Sequence, residues 1–144
     1  MRLRYGAFAR TPRIMTAVFY VALGGAIGAS GRYWLSKAMT HNDETMSLGF
    51  PVGTFSANVI GGFLMGLLAG YLTLRLSGYE DVRLFLGVGV LGGFTTFSAF
   101  SLEAIMMLER KAYGLMASYV ASSVICSLLA LFMGLFLARK VLSL

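Results

Sequence analysis

Residues 92–101 read GGFTTFSAFS. They lie inside a run, Leu84 to Leu102, that carries no Asp, Glu, Lys or Arg. The length suits a bilayer crossing, which takes roughly 20 mostly apolar residues. The content does not suit a helix that faces lipid. Two glycines are followed by Phe94, Thr95, Thr96, Phe97, Ser98, Phe100 and Ser101, so hydroxyls and rings interleave where Leu, Ile and Val belong. How this stretch is read, as soluble core or as an interrupted membrane span, decides the fold.

The surrounding sequence answers for the membrane. Three other charge-free runs flank it, Ile14 to Gly31, Thr45 to Leu74 and Ala112 to Ala138. The chain of 144 residues is 58% hydrophobic and 12% charged, about half the charge of a soluble domain. Four spans, near 15–38, 50–75, 83–109 and 112–138, leave little chain for anything else. The runs are too long for barrel strands and lack their period-two alternation. A helix satisfies its own backbone in lipid. The expected fold is therefore an all-α membrane protein with four transmembrane helices, formed by residues 15–144 behind a basic N-terminal tail, residues 1–14.

A net charge of +6 does not point to nucleic acid, because the basic residues sit at span ends and in the tail. Cys126, alone of its kind, reads as a packed apolar thiol, and His41 as part of the solvated loop THNDETMSLGFP. The first span resembles a signal peptide only superficially, since it runs on into RYWL and reads as the first helix of a bundle. The connection LERKAYG is so tight that the last two spans must be antiparallel neighbours. Gly62, Gly66 and Gly70 on the second span, and Gly24 and Gly28 on the first, recur every four residues and give smooth faces for close helix approach.

The side with both termini holds Arg2, Arg4, Arg10, Arg13, Arg75, Arg83, Arg139 and Lys140, and the other holds Arg32, Lys37, Arg110 and Lys111. Without the residues before Met15 the count is four against four. A core with no Lys/Arg bias has no strong orientation preference, which permits insertion both ways and an antiparallel pair of identical chains. Met15 itself is a possible alternative start.

Polar residues at membrane depth carry the functional information. Thr54 and Asn58 share a face of the second span, and Tyr119, Ser123 and Ser127 form a stripe on the fourth. Glu103 follows the opening stretch. A lone Ser or Thr can bond back to its own helix, but the Asn58 amide needs partners. Three donor-rich stripes read as the lining of a narrow anion path. Phe94, Phe97 and Phe100 recur every three residues; such a stripe is usually core, yet a ring edge is its positive side. Gly92 and Gly93 weaken the helix, and Thr95 and Thr96 can support freed backbone groups. A break exposing carbonyls at mid-membrane is expected here.

GGAIGASGRYWL, GTFSANVIGGFLMG and GVLGGFTTFSAFSLE resemble, in order and spacing, the signature stretches of the CrcB/Fluc fluoride channel family. The resemblance covers nearly the whole chain after Met15. It implies a broken third helix, an antiparallel dual-topology homodimer in the bacterial inner membrane, and passive export of fluoride from the cytoplasm, which lowers its toxicity. It also implies roles. Phe97 and Phe100 match the rings whose edges line the path, and Asn58 its asparagine. Thr54, Tyr119, Ser123 and Ser127 match the polar track, Glu103 a glutamate along it, and Arg32 an arginine near a vestibule. The backbone carbonyls of Gly92 and Thr95, two from each chain, match the holders of a structural sodium ion. Ala99 stands where some members carry threonine.

Two other readings stay open. A small-multidrug-type exporter, which exchanges protons for cationic drugs, needs a membrane-embedded carboxylate, and only Glu103 is near membrane depth. A structural subunit suits the glycine faces but leaves Asn58 and the polar stripes unused. An enzyme is not expected, since no nucleophile–base pair or metal cluster stands out.

Overall fold

The computed structural model describes residues 11–39, 49–73 and 79–142. The first ten residues of the basic tail, the loop around His41 and the turn around Gly78 lie outside the described residues. All regular structure among the described residues is helical. α1 is Thr11–Met39 and α2 is Val52–Thr73. The third span is divided. Glu80–Val82, Arg83–Leu91 and Gly92–Phe94 run on continuously as α3, whose middle nine residues are wound as a π-helix. After Thr95 and Thr96 the chain resumes as α4, Phe97–Glu109, and α5 is Tyr113–Leu142. Four segments, Arg13–Met39, Val52–Thr73, Glu80–Glu109 and Tyr113–Val141, are long and apolar enough to cross a membrane, as expected. α1 starts at Thr11, so a boundary after residue 14 falls inside a continuous helix.

The starts and stops have local causes. Before α2, Phe50 and Phe55 meet edge to face at 5.6 Å, a hydrophobic staple that sets the entry of the chain. α4 ends in a Schellman motif. Lys111 takes a φ of +60°, the Lys111 N–H donates to the Leu108 carbonyl at 2.9 Å, and the Ala112 N–H donates to Met107 at 2.9 Å. These bonds satisfy carbonyls orphaned at the helix end and turn the chain at once into α5.

Glycine decides which helices touch. The main pairs are α2 with α5 and α1 with α3. A side chain at Gly62 would meet the Ser127 carbonyl at 2.9 Å, and one at Gly66 or Gly134 would run into the backbone of Leu131 or Phe63. α1 lies on α3 in the same manner, Gly24 against Phe85 and Gly89, Gly28 against Val90. Lipid tails are as apolar as these side chains, so close backbone packing supplies the attraction.

The break in the third span is present, but its cause differs from the expected one. Gly92 is helical, with φ −64° and ψ −38°, and Gly93 lies within the same helical turn. Gly93 serves close packing, because a side chain there would meet the Gly25 carbonyl at 2.7 Å. The extended residues are Thr95, at φ −82° and ψ 157°, and Thr96, at −151° and 122°. β-Branched side chains tolerate extended backbone well.

Candidate functional site

Interrupting a helix in an apolar layer orphans carbonyls before the break and N–H groups after it. Three side chains deal with some of these groups and with the break's own backbone. The Thr96 hydroxyl caps α4, accepting from the Ala99 N–H at 3.2 Å. The Thr95 hydroxyl and the Thr95 N–H both donate to the Leu91 carbonyl at 3.0 Å. Asn58 reaches across from α2 and pairs with Thr96 in both senses: its amide N–H donates to the Thr96 carbonyl at 3.1 Å, and its amide oxygen accepts from the Thr96 N–H at 2.8 Å. Asn58 thus does for the break what a neighbouring strand would do for extended backbone. From the other side, Arg32 Nε donates to the Gly93 carbonyl at 3.3 Å. None of these bonds goes to the carbonyls of Gly92 or Thr95.

Beside the break lies a cleft of about 370 Å³. Asn58 of α2, Thr95 and Thr96 of the break, Phe97 and Phe100 of α4 and Ser123 and Ser127 of α5 line it, within a mostly apolar surface that includes Met65, Leu128 and Leu131. The two rings are 5.6 Å apart between centroids, tilted by 40°. Phe97 is 79% exposed on the single chain. The Ser123 and Ser127 hydroxyl oxygens are buried without a hydrogen-bond partner among the described residues. Ser123 lies beside the Tyr119 hydroxyl. Buried polar groups are normally paired, so two hydroxyls at these positions of an apolar helix mark this side of α5 as its polar one.

The polar line continues past the rings. Tyr119 is fully buried; its ring lies 5.3 Å from Phe100 and its hydroxyl donates to one Glu103 carboxylate oxygen at 2.6 Å. The buried Thr54 hydroxyl donates to the other at 2.7 Å. Thr54 and Glu103 also line a second hollow of about 230 Å³ with Ser36, Phe50 and Gly53. From Ser127 through Ser123, Tyr119 and Glu103 to Thr54 the polar groups follow one another between the two hollows.

The structure therefore gathers Asn58, Phe97, Phe100, Ser123 and Ser127 on one cleft, and joins Tyr119, Glu103 and Thr54 to it. Arg32 stands apart from the cleft, behind the break. Two residues escaped sequence reasoning in their actual roles. Thr96 is the α4 cap; a threonine directly before an apolar helical run was its signal. Phe50 packs edge to face on Tyr119 at 5.3 Å and walls the line; only its place before Pro51, as half of a staple, hinted at it. Among the described residues no group of three or more His, Cys, Asp or Glu side chains is placed to hold a metal ion.

A family model described as CrcB-like protein, Camphor Resistance (CrcB), matches residues 19–135. Among curated relatives, a protein named fluoride-specific ion channel FluC from Phenylobacterium zucineum (strain HLK1) is 52% identical over 128 residues, 88% of this chain and 98% of its own. One of the same name from Caulobacter vibrioides (strain NA1000 / CB15N) is 48% identical with the same coverage. A third, from Novosphingobium aromaticivorans, is 50% identical over 127 residues, 88% of this chain and 99% of its own.

Proposed function

Since this chain belongs to the CrcB-like family, we propose that it is a fluoride-selective channel of the bacterial inner membrane, letting fluoride leave the cytoplasm down its gradient. Hydrogen fluoride is neutral and crosses lipid. It dissociates in a less acidic cytoplasm, where the anion is trapped unless a pore releases it. Such a pore carries out no bond chemistry, and we read the protein as a channel rather than an enzyme. Its task is to replace a tightly held hydration shell with hydrogen-bond donors in a space too narrow for larger halides.

The observation that carries this reading is the cleft whose lining brings together Asn58, Phe97, Phe100, Ser123 and Ser127 from three different helices. Every polar side chain on that cleft can donate, and a phenyl edge adds partial positive charge where a bulkier donor would not fit. Tyr119, Thr54 and Glu103 extend the path toward the second hollow. The embedded acid required by a proton-coupled exporter is engaged here: both oxygens of Glu103 accept hydrogen bonds.

Two further parts belong to the proposal. The first is an antiparallel homodimer. The even Lys/Arg count from Met15 onward and the exposure of Phe97 support it, since a ring on an ion path needs a cover that one chain does not supply. The second is a structural sodium ion on the carbonyls of Gly92 and Thr95 from both chains. Carbonyl oxygens are the ligands a hard cation takes, and the side chains that brace the break bond to other carbonyls, those of Leu91, Gly93 and Thr96. The ion when bound would supply positive charge tying the two breaks together.

The deciding experiment is ion efflux from liposomes holding the purified protein. Fluoride should leave while chloride stays. Equal loss of both, or fluoride movement only under a proton gradient, would end the proposal. Orientation is separable. Gly114 faces open space, so a Gly114→Cys protein that starts at Met15 should react with an impermeant thiol reagent partly from each side; reaction from one side only would remove the antiparallel pair.

A further inference from the structure

We infer that Arg32 is a positioning residue: it holds the break in the third span from the α1 side as Asn58 holds it from the α2 side, and acts on the path through the backbone instead of meeting the ion. Gly24, Gly28 and Arg32 are four residues apart and form one stripe of α1. The two glycines seat that stripe on the backbone of α3, Gly24 against Phe85 and Gly89, Gly28 against Val90. The next position along the stripe is carried past the end of α3. There, in place of a third glycine, stands a long side chain whose Nε donates to the Gly93 carbonyl.

That carbonyl belongs to the last turn of α3, which ends at Phe94. The end of a helix carries partial negative charge and unpaired carbonyls, so a guanidinium is suited to it twice over, as a donor and as a charge. A half-buried arginine within a membrane span needs such a partner. Among the described residues no carboxylate is a partner of Arg32, whose bond is to the Gly93 carbonyl. The same last turn supports the Thr95 N–H and hydroxyl through Leu91, and Thr95 leads directly into Thr96 and the Asn58 clamp. Releasing Gly93 frees the turn from which the cleft wall hangs.

The inference rests on the proposed pathway for its transport consequences but not for its structural ones, and the test separates them. Parent, Arg32→Gln and Arg32→Lys proteins are compared in lipid nanodiscs by amide hydrogen exchange and in liposomes by fluoride efflux at low and high ionic strength. Loss of one charge-assisted hydrogen bond is about tenfold or more in an opening equilibrium. The Thr95 and Thr96 amides of the Gln protein should therefore exchange at least about tenfold faster, while α2 near Gly66 keeps its protection. The Lys protein should lie between, because an ammonium can still reach a carbonyl. Efflux should fall in the same order, by the same ratio at both ionic strengths. Unchanged exchange across 91–98 in the Gln protein overturns the inference. So does a loss of efflux that disappears in high salt, which marks a charge acting on the ion at a distance. If the Gln protein does not fold, the Lys protein decides by the same exchange measurement. A parent that passes no fluoride removes the pathway, and exchange alone then settles the role of Arg32.

Discussion

Replacing Asn58 by aspartate separates the two duties this residue is asked to perform. The side chains are nearly isosteric, so the packing of α2 changes little. One oxygen of the carboxylate still accepts the Thr96 N–H, now held at 2.8 Å. The other faces the Thr96 carbonyl, where the amide N–H donates at 3.1 Å, and a hydrogen bond becomes an oxygen–oxygen contact. Losing that bond costs about 1 kcal/mol, with a further 1–3 for leaving polar atoms unsatisfied. The ion suffers more. A unit negative charge about 4 Å from fluoride, at an effective dielectric of about 20, costs about 4 kcal/mol, or about three decades of occupancy. The expected result for Asn58→Asp is a folded protein with a modestly lowered unfolding midpoint and fluoride efflux reduced at least a hundredfold at neutral pH. Asn58→Leu is the companion, because it leaves both Thr96 groups unpaired without adding charge. It should be the less stable of the two. The assay is liposome efflux at matched protein content, with thermal unfolding of the same preparations. Efflux of the Asp protein within about twofold of the parent would refute the reasoning: Asn58 would then only hold the break, and the ion would pass elsewhere.

Phe97→Ile and Phe100→Ile keep apolar bulk but remove the ring edge, so fluoride flux should fall sharply with the assembly intact; flux like the parent's would make both rings ordinary packing. Sodium at about a hundred times its dissociation constant should stabilise the protein by about 2.7 kcal/mol through mass action, and an unfolding midpoint that ignores sodium would remove the proposed carbonyl site. Gly66→Ala would drive a methyl into the backbone of Leu131, forcing α2 and α5 apart at a cost of about 1–3 kcal/mol; undiminished stability would mean the helices adjust freely. Lys111→Gly relieves the φ of +60° and should add about 0.5–1 kcal/mol, net of the entropy glycine brings to the unfolded chain; a loss would show that the lysine side chain does more than turn the corner.

The four spans were legible because lipid leaves the chain so little choice. Each crossing must be long, apolar and internally bonded, and the charge-free runs mark that directly. Their ends were harder to read. α1 starts before Arg13 and α5 runs past Arg139 and Lys140, because a charge ends the apolar layer without ending a helix; long basic side chains reach the interface while the backbone stays helical. Asn58, Ser123 and Ser127 could be singled out because a donor in lipid needs a reason to be there. What the sequence hid was pairing. The tight turn around Lys111 made α4 and α5 neighbours, and they do touch, yet α5 packs most extensively on α2. That preference is written in where Gly66 and Gly134 fall relative to each other, a three-dimensional match with no linear sign. The double glycine at 92–93 misled for a related reason. Glycine signals both a weak helix and a close approach, and here the approach of α1 decides.

Asparagine at position 58 also fits the geometry better than other polar residues would. Extended backbone at Thr96 offers one N–H and one carbonyl on the same side, and pairing both needs an acceptor and a donor about as far apart as those of an amide. A serine could serve only one of them, and a carboxylate has no donor when ionised. An amide carries one oxygen and two N–H groups. The oxygen and one N–H are spent on Thr96. The second N–H belongs to a residue on the wall of the cleft that Ser123 and Ser127 also line. Holding the break therefore uses only part of the side chain's capacity, and the remaining donor stands fixed by the first two bonds. A ligand-facing donor that is already immobilised loses no further rotamer freedom on binding, and a small anion that must shed its water needs donors of that kind. In this reading the break and the path are one device: the backbone interruption orients the amide, and the amide keeps one hydrogen that the break does not use.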